Sequence, residues 1–145
     1  WVAHMCAAIR KHDAEALITV GAIPWAHTWP GAKPIFYDDE VGAPLDVVSV
    51  HFYPEKDEVD KALEALRVYE IGKPLVVEEM FPLKCGLEQL SEFIDRSRPF
   101  VDGYVGFYWG TSIEEFEREG TSTIGEAITL SWLRYFRSEA EEIPD

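Results

Sequence analysis

The sequence predicts an α/β fold built on a parallel sheet with right-handed crossovers. Three observations carry that expectation. Short apolar runs alternate with stretches whose apolar residues recur at helical spacing, the pattern of strand–helix units. The run Leu75-Val76-Val77 has no polar break, as a strand covered on both faces requires. Polar and aromatic groups gather where such runs end: His51 and Tyr53, Glu78 and Glu79, and Trp109. Parallel sheets, open or closed into barrels, hold their ligand sites at the carboxyl ends of strands.

The elements follow in order. Val2, Met5, Cys6 and Ile9 make one apolar stripe of an opening helix. Residues 17–21 read as a short buried strand closed by Gly21. The segment 22–44 is rich in Pro, Gly and aromatics, including Trp25, His27 and Trp29, and has no helix pattern; loops of this length tend to be functional. Residues 45–54 form the second strand, with Val47, Ser49, His51 and Tyr53 on one face and Val48, Val50 and Phe52 on the other. Val59, Ala62, Leu63 and Leu66 stripe the next helix, and Gly72 is expected as its C-terminal cap.

Pro74 opens the third strand, where no ladder donor is needed. Strict alternation puts Glu79 on the face of Leu75 and Val77, and Glu78 on the face of Val76. A loop, 82–86, leads to a helix marked by Leu87, Leu90 and Ile94 that ends before Pro99. Residues 103–110 read as the fourth strand. Glu114, Glu115, Glu117 and Glu119 read as a solvated acidic loop without calcium-loop spacing. Thr123 and Glu126 fit a capping box for a last helix, with Ile124, Ile128, Trp132 and Tyr135 as its expected buried stripe. The tail from Glu139 is expected to fray.

Composition limits the function classes. At 145 residues and 47% hydrophobic, the chain can build a core as one domain, and no second domain is expected. Its formal net charge of -14 repels phosphate backbones and anionic lipid heads, which argues against nucleic-acid and membrane partners. Neutral sugars are indifferent to that charge. Cys6 and Cys85 make no metal-type pair, and His4, His12, His27 and His51 lack zincin spacing, so neither metal nor cofactor is expected. The first ten residues resemble neither a signal peptide nor a polar leader and read as the middle of something already under way.

The strand ends carry the chemistry. A carboxylate beside a phenol and an imidazole suits a nucleophile kept oriented and ionised by hydrogen bonds. An indole at the rim offers a flat apolar plate for the C–H face of a sugar. The plain alternative is that Glu78 and Glu79 simply emerge into solvent, and that His51 and Tyr53 are satisfied core polar residues.

Residues 48–54, then 73–79, then 106–109 together resemble strands six, seven and eight of a clan A glycoside hydrolase, most closely the cellulase- and mannanase-like family 5. Residues 17–21 resemble strand five, so the likeness covers nearly the whole chain. It implies the second half of a (β/α)8 TIM barrel, strands five to eight, and retaining hydrolysis of a β-linked poly- or oligosaccharide. Under it, Glu79 is the nucleophile, five residues after Pro74. Tyr53 and His51 orient that carboxylate, and Trp109 lies under the sugar, with a cis peptide to Gly110. Trp25, His27 and Trp29 fall where the family builds sugar subsites, and Glu78 is a supporting or surface group.

One departure is large: the family's acid/base glutamate follows an Asn on strand four, and this sequence contains no Asn. A retaining mechanism needs two carboxyls about 5–5.5 Å apart. The resemblance therefore implies a fragment that needs an N-terminal half-barrel, or a second copy, to close the fold, and that is inactive alone. Two other readings stand beside it. One is a non-catalytic carbohydrate-binding half-barrel or pseudoenzyme. The other is a doubly wound α/β domain with an incidental Glu pair, whose strands would lie in non-sequential order.

Overall fold

The computed structural model describes every residue except Trp25, His27, Thr28, Pro30, Ile35, Asp39 and residues 142–145. Along the chain run helix α1 (Val2–Arg10), strand β1 (Gly21–Ala22), strand β2 (Val48–His51), helix α2 (Val59–Arg67), strand β3 (Leu75–Met80), helix α3 (Leu87–Ser97), strand β4 (Gly103–Gly106), helix α4 (Ile113–Glu119) and helix α5 (Ile124–Glu141). The four strands form one sheet in the order β1-β2-β3-β4, with every neighbouring pair parallel. The expected α/β fold on a parallel sheet is present, and its strand order is sequential. The chain divides into two compact units, residues 1–107 and the remainder from Tyr108.

In the first unit the central strands carry the core. Val48 and Val50 pair with Leu75 and Val77, so these four side chains share one sheet face, and all are buried. Phe52 continues that face and stacks on Phe93 of α3, with ring centroids 5.4 Å apart at 19°. Ala62 and Leu66 of α2 and Leu90 of α3 are also wholly buried, and α2 packs on α3. Helix α1 buries Val2 and Cys6, while Met5 and Ile9 of the predicted stripe stay exposed.

The opposite face is polar and specifically bonded. Ser49 is buried, but its hydroxyl accepts from Thr19 at 2.9 Å and its N–H donates to the Tyr37 phenol at 2.9 Å. The buried Tyr37 also donates to the Val20 carbonyl, which ties the long segment 22–44 to the meeting of β1 and β2. Lys73 fastens the end of that segment by donating to the carbonyls of Gly42 at 2.9 Å, Ala43 at 3.1 Å and Leu45. Asp46 accepts from the Ile18 N–H at 2.7 Å and pairs with Arg10. The backbone donor first, then Arg10, pull its carboxyl below the usual range.

Several predicted bounds shift. β1 is assigned only at Gly21–Ala22, although Asp46 N–H still reaches the Ile18 carbonyl at 2.9 Å. α2 ends at Arg67, and Gly72, at φ +80°, turns the chain into β3 instead of capping the helix. The expected acidic loop is helix α4. Ser112 accepts from the Glu115 N–H at 3.2 Å while Glu115 accepts from the Ser112 N–H at 2.8 Å, a capping box that fixes its start.

In the second unit α4 packs on α5, with Arg134 bonded to Glu117 at 2.9 Å and Arg137 to Glu114. The capping box expected for α5 forms: the Glu126 N–H donates to Thr123 Oγ1 at 3.1 Å, and Thr123 N–H to the Glu126 carboxylate at 3.0 Å. The buried stripe expected there does not. No residue of α5 is buried, and Ile124 and Ile128 are exposed. Helical periodicity reports that one face is apolar; whether anything covers it is a tertiary matter.

Candidate active site

His51 closes β2, and Glu78 and Glu79 lie near the carboxyl end of the neighbouring β3. Sheet register decides how they meet. Val50 pairs with Val77, but the next pair is His51 with Glu79, so β3 carries one extra residue. The same irregularity is seen from the other side, where Val77 pairs with Tyr104 and Met80 with Gly106. This is a β-bulge, which re-aims side chains and is common beside functional sites.

The bulge overturns the face assignment drawn from strict alternation. Met80, not Glu79, follows Val77 onto the helix-covered face and is wholly buried. Glu79 moves to the open face beside Glu78. A shift of one residue exchanges faces. Sequence reading had a signal for it, because the apolar positions Leu75, Val77 and Met80 are spaced by two and then by three.

Two side chains thereby converge on Glu79 and its neighbour through three contacts. The Tyr53 hydroxyl donates to Glu79 Oε1 at 2.6 Å. His51 Nδ1 faces Glu79 Oε2 at 3.4 Å, an ion-pair distance rather than a good hydrogen bond. His51 Nε2 makes the closer contact, 3.1 Å to Glu78 Oε1. The side chains of His51, Glu78 and Glu79 keep 32%, 28% and 23% of their surface, so a solute can reach them although they are packed together. Burial first, and then the bond to the Glu79 carboxylate, hold the Tyr53 phenol well above its usual range, so it stays a donor.

Gly21 on β1 borders the same group. A Cβ there would lie 2.2 Å from Glu78 Oε1 and 2.8 Å from His51 Nε2, so only glycine leaves room for that contact. Its φ is not in the left-handed region, and close approach rather than backbone conformation is what requires it.

The other predicted residues stand differently. Trp109 belongs to the second unit, and its side chain is fully exposed. The Trp109–Gly110 peptide is trans, where the family likeness implied cis. A non-proline cis bond costs about 2.5–4 kcal/mol, and an exposed indole offers no packing to hold one. Trp29 is also exposed, while Trp25 and His27 lie outside the described residues.

Among the described residues, no three His, Cys, Asp or Glu side chains are placed to hold a metal ion, and no helix is long and apolar enough to cross a membrane. A groove of about 230 Å³ lies between α2 and α3, lined by Asp57, Val59, Asp60, Gln89, Glu92 and Arg96. Arg96 is already paired there with both Asp60 and Glu92. Comparisons with protein-family models, with curated proteins and with solved structures find no match for this chain.

Proposed function

We propose that this chain is the second half of a (β/α)8 catalytic domain, strands five to eight, and that its chemistry is retaining hydrolysis of a β-linked poly- or oligosaccharide. The observation that carries the reading is the 2.6 Å bond from the Tyr53 hydroxyl to Glu79, at the carboxyl ends of two adjacent parallel strands. Sequential strand order agrees with a barrel segment and speaks against a doubly wound sheet with a switch point. The motif likeness supplies the reaction class, and the geometry supplies a carboxylate set up for it.

In this reading Glu79 attacks the anomeric carbon. Tyr53 fixes the carboxylate's rotamer through Oε1 and leaves Oε2, with its looser 3.4 Å contact to His51, as the attacking oxygen. Trp109, and the segment bearing Trp25, His27 and Trp29, keep the sugar-contact roles that the motif likeness alone implies. The acid/base carboxyl comes from an N-terminal half-barrel or a second copy, and no metal or cofactor takes part.

A leaving group that needs no proton isolates the nucleophile's step from the acid's. With a 2,4-dinitrophenyl 2-deoxy-2-fluoro-β-D-glycoside, in gluco and manno forms, Glu79 Oε2 forms an ester to the anomeric carbon. The bond to the dinitrophenolate breaks, and that anion departs unprotonated. We expect a sugar-sized mass gain on the peptide bearing Glu79, and none in Glu79→Gln. Absence of labelling, or equal labelling in Glu79→Gln, would sink the reading.

A further inference from the structure

We infer that Glu78 is a positioning residue: it anchors the His51 imidazole through Nε2 and so sets how Nδ1 meets the Glu79 carboxylate. The inference rests on Glu79 being the nucleophile. The plain reading of Glu78 is a surface carboxylate beside a functional one, as strict alternation would have it. Three features of the structure speak otherwise.

The first is distance. His51 lies nearer Glu78, at 3.1 Å, than Glu79, at 3.4 Å, so Glu78 is the ring's principal partner. The second is the bulge in β3. A bulge leaves one residue out of the ladder, and this one sets both carboxylates on the face of His51. The third is Gly21, whose missing side chain is the space that Glu78 Oε1 and His51 Nε2 occupy. Three adjacent strands thus each contribute something to one contact.

The chemistry of the ring gives that contact a consequence. A neutral imidazole has a single N–H and can donate to one carboxylate only. With that N–H on Glu78, the Nδ1 lone pair would face Glu79 Oε2, and the two would repel. In the doubly protonated ring both nitrogens donate, and the contact with Glu79 becomes attractive. Glu78 therefore does two things. It holds the ring in its plane, and it thereby fixes the edge that Nδ1 turns toward Glu79. Among the described residues, the titratable groups in contact with this cluster are Glu78 and Glu79 from β3 and Tyr53 from the end of β2; β1 brings the uncharged Gly21.

The test uses the full chain and the fluoroglycoside above, with dinitrophenolate release as the rate. Glu78→Gln and His51→Ala are each expected to slow labelling by about 10- to 100-fold, the range for a reacting group displaced by up to ~1 Å. Because Glu78 acts through His51, the double variant should be no slower than His51→Ala alone. Gly21→Ala touches neither Glu79 nor Tyr53, yet it should slow labelling like Glu78→Gln and guards against a folding defect in one variant.

A second readout needs no labelling. The His51 Nε2 proton, bonded to a carboxylate, should resonate downfield in the wild type and lose that position in Glu78→Gln and Gly21→Ala. A His51 ring spectrum indifferent to both substitutions overturns the anchoring, even where Glu79 is labelled. Additive losses in the double variant overturn it too. Failure of wild-type labelling overturns the nucleophile reading, and with it Glu78's role, while the spectrum then reports the anchoring alone.

Discussion

At the residue scale, Tyr53 shows how one hydrogen bond settles a side chain's state. Its phenol is held above the ordinary value by burial and by the Glu79 carboxylate that it faces. A raised value means that the folded protein binds this proton more tightly than the unfolded chain. The resulting stabilisation is complete below the ordinary phenol value of about 10 and is lost as pH rises through the folded one. In an alkaline titration, Tyr53→Phe should therefore remove a late-titrating component of tyrosinate absorbance. Loss of an early component instead would mean that the bond to Glu79 does not form. The residue types were legible in the sequence, since an imidazole, a phenol and paired carboxylates at strand ends stand out from apolar surroundings. What was not legible is the partner of each atom. Side-chain identity says that His51 can bond a carboxylate; only the bulge makes that carboxylate Glu78 first and Glu79 second.

At the element scale, the central strands and the helices of the first unit follow from their patterns. β2, β3, α2 and α3 all fall within runs that stand out in the sequence, and α2 and α3 bury the face that their period defines. The Phe52–Phe93 stack joins β2 to α3, and both rings are wholly buried. Phe93→Ala should lower unfolding free energy by about 3–5 kcal/mol, read from urea denaturation, without altering the Tyr53–Glu79 bond directly. A loss under 1 kcal/mol would mean that the helix does not pack on the strand in this way. Two elements differ from their sequence pattern for different reasons. The charges of 114–119 suggest a solvated loop, yet Ser112 and Glu115 stand at capping-box spacing ahead of Ile113 and Phe116 and start helix α4. α5 is the helix its period predicts but buries none of its stripe, since a row of apolar residues carries no information about its neighbour.

At the scale of the whole molecule, the net charge of -14 acts on stability as a self-repulsion that no single contact offsets. Exposed pairs such as Lys61–Glu58 at 3.0 Å and Arg118–Glu119 at 2.8 Å pull the other way. Each contributes only about 0.2–1 kcal/mol and is itself screened by salt. Raising ionic strength from about 0.01 to 0.15 M shortens the Debye length from roughly 30 to 8 Å, which removes most long-range repulsion. The melting temperature should therefore rise, by a few °C for each ~1 kcal/mol recovered. A fall would show that the ion pairs outweigh the net charge. Among the described residues β1 and β4 are the outer strands of the sheet, each paired with a strand on one side. Edges of this kind ask for a covering strand, in keeping with the proposed half-barrel.

By itself the sequence determined the fold class and the parallel sheet that its strand–helix alternation implies, while the sequential order of the strands came only with the tertiary structure. It also determined which chemical groups gather at the ends of β2 and β3, because periodicity and composition are local properties written residue by residue; Trp109 lies beyond β4, which ends at Gly106. Tertiary structure alone decided which face each carboxylate takes and which nitrogen of His51 meets which oxygen. It alone decided which contact a side chain at position 21 would displace. Those depend on one extra residue in β3 and on the distance between neighbouring strands, and neither is a property of any single stretch of chain.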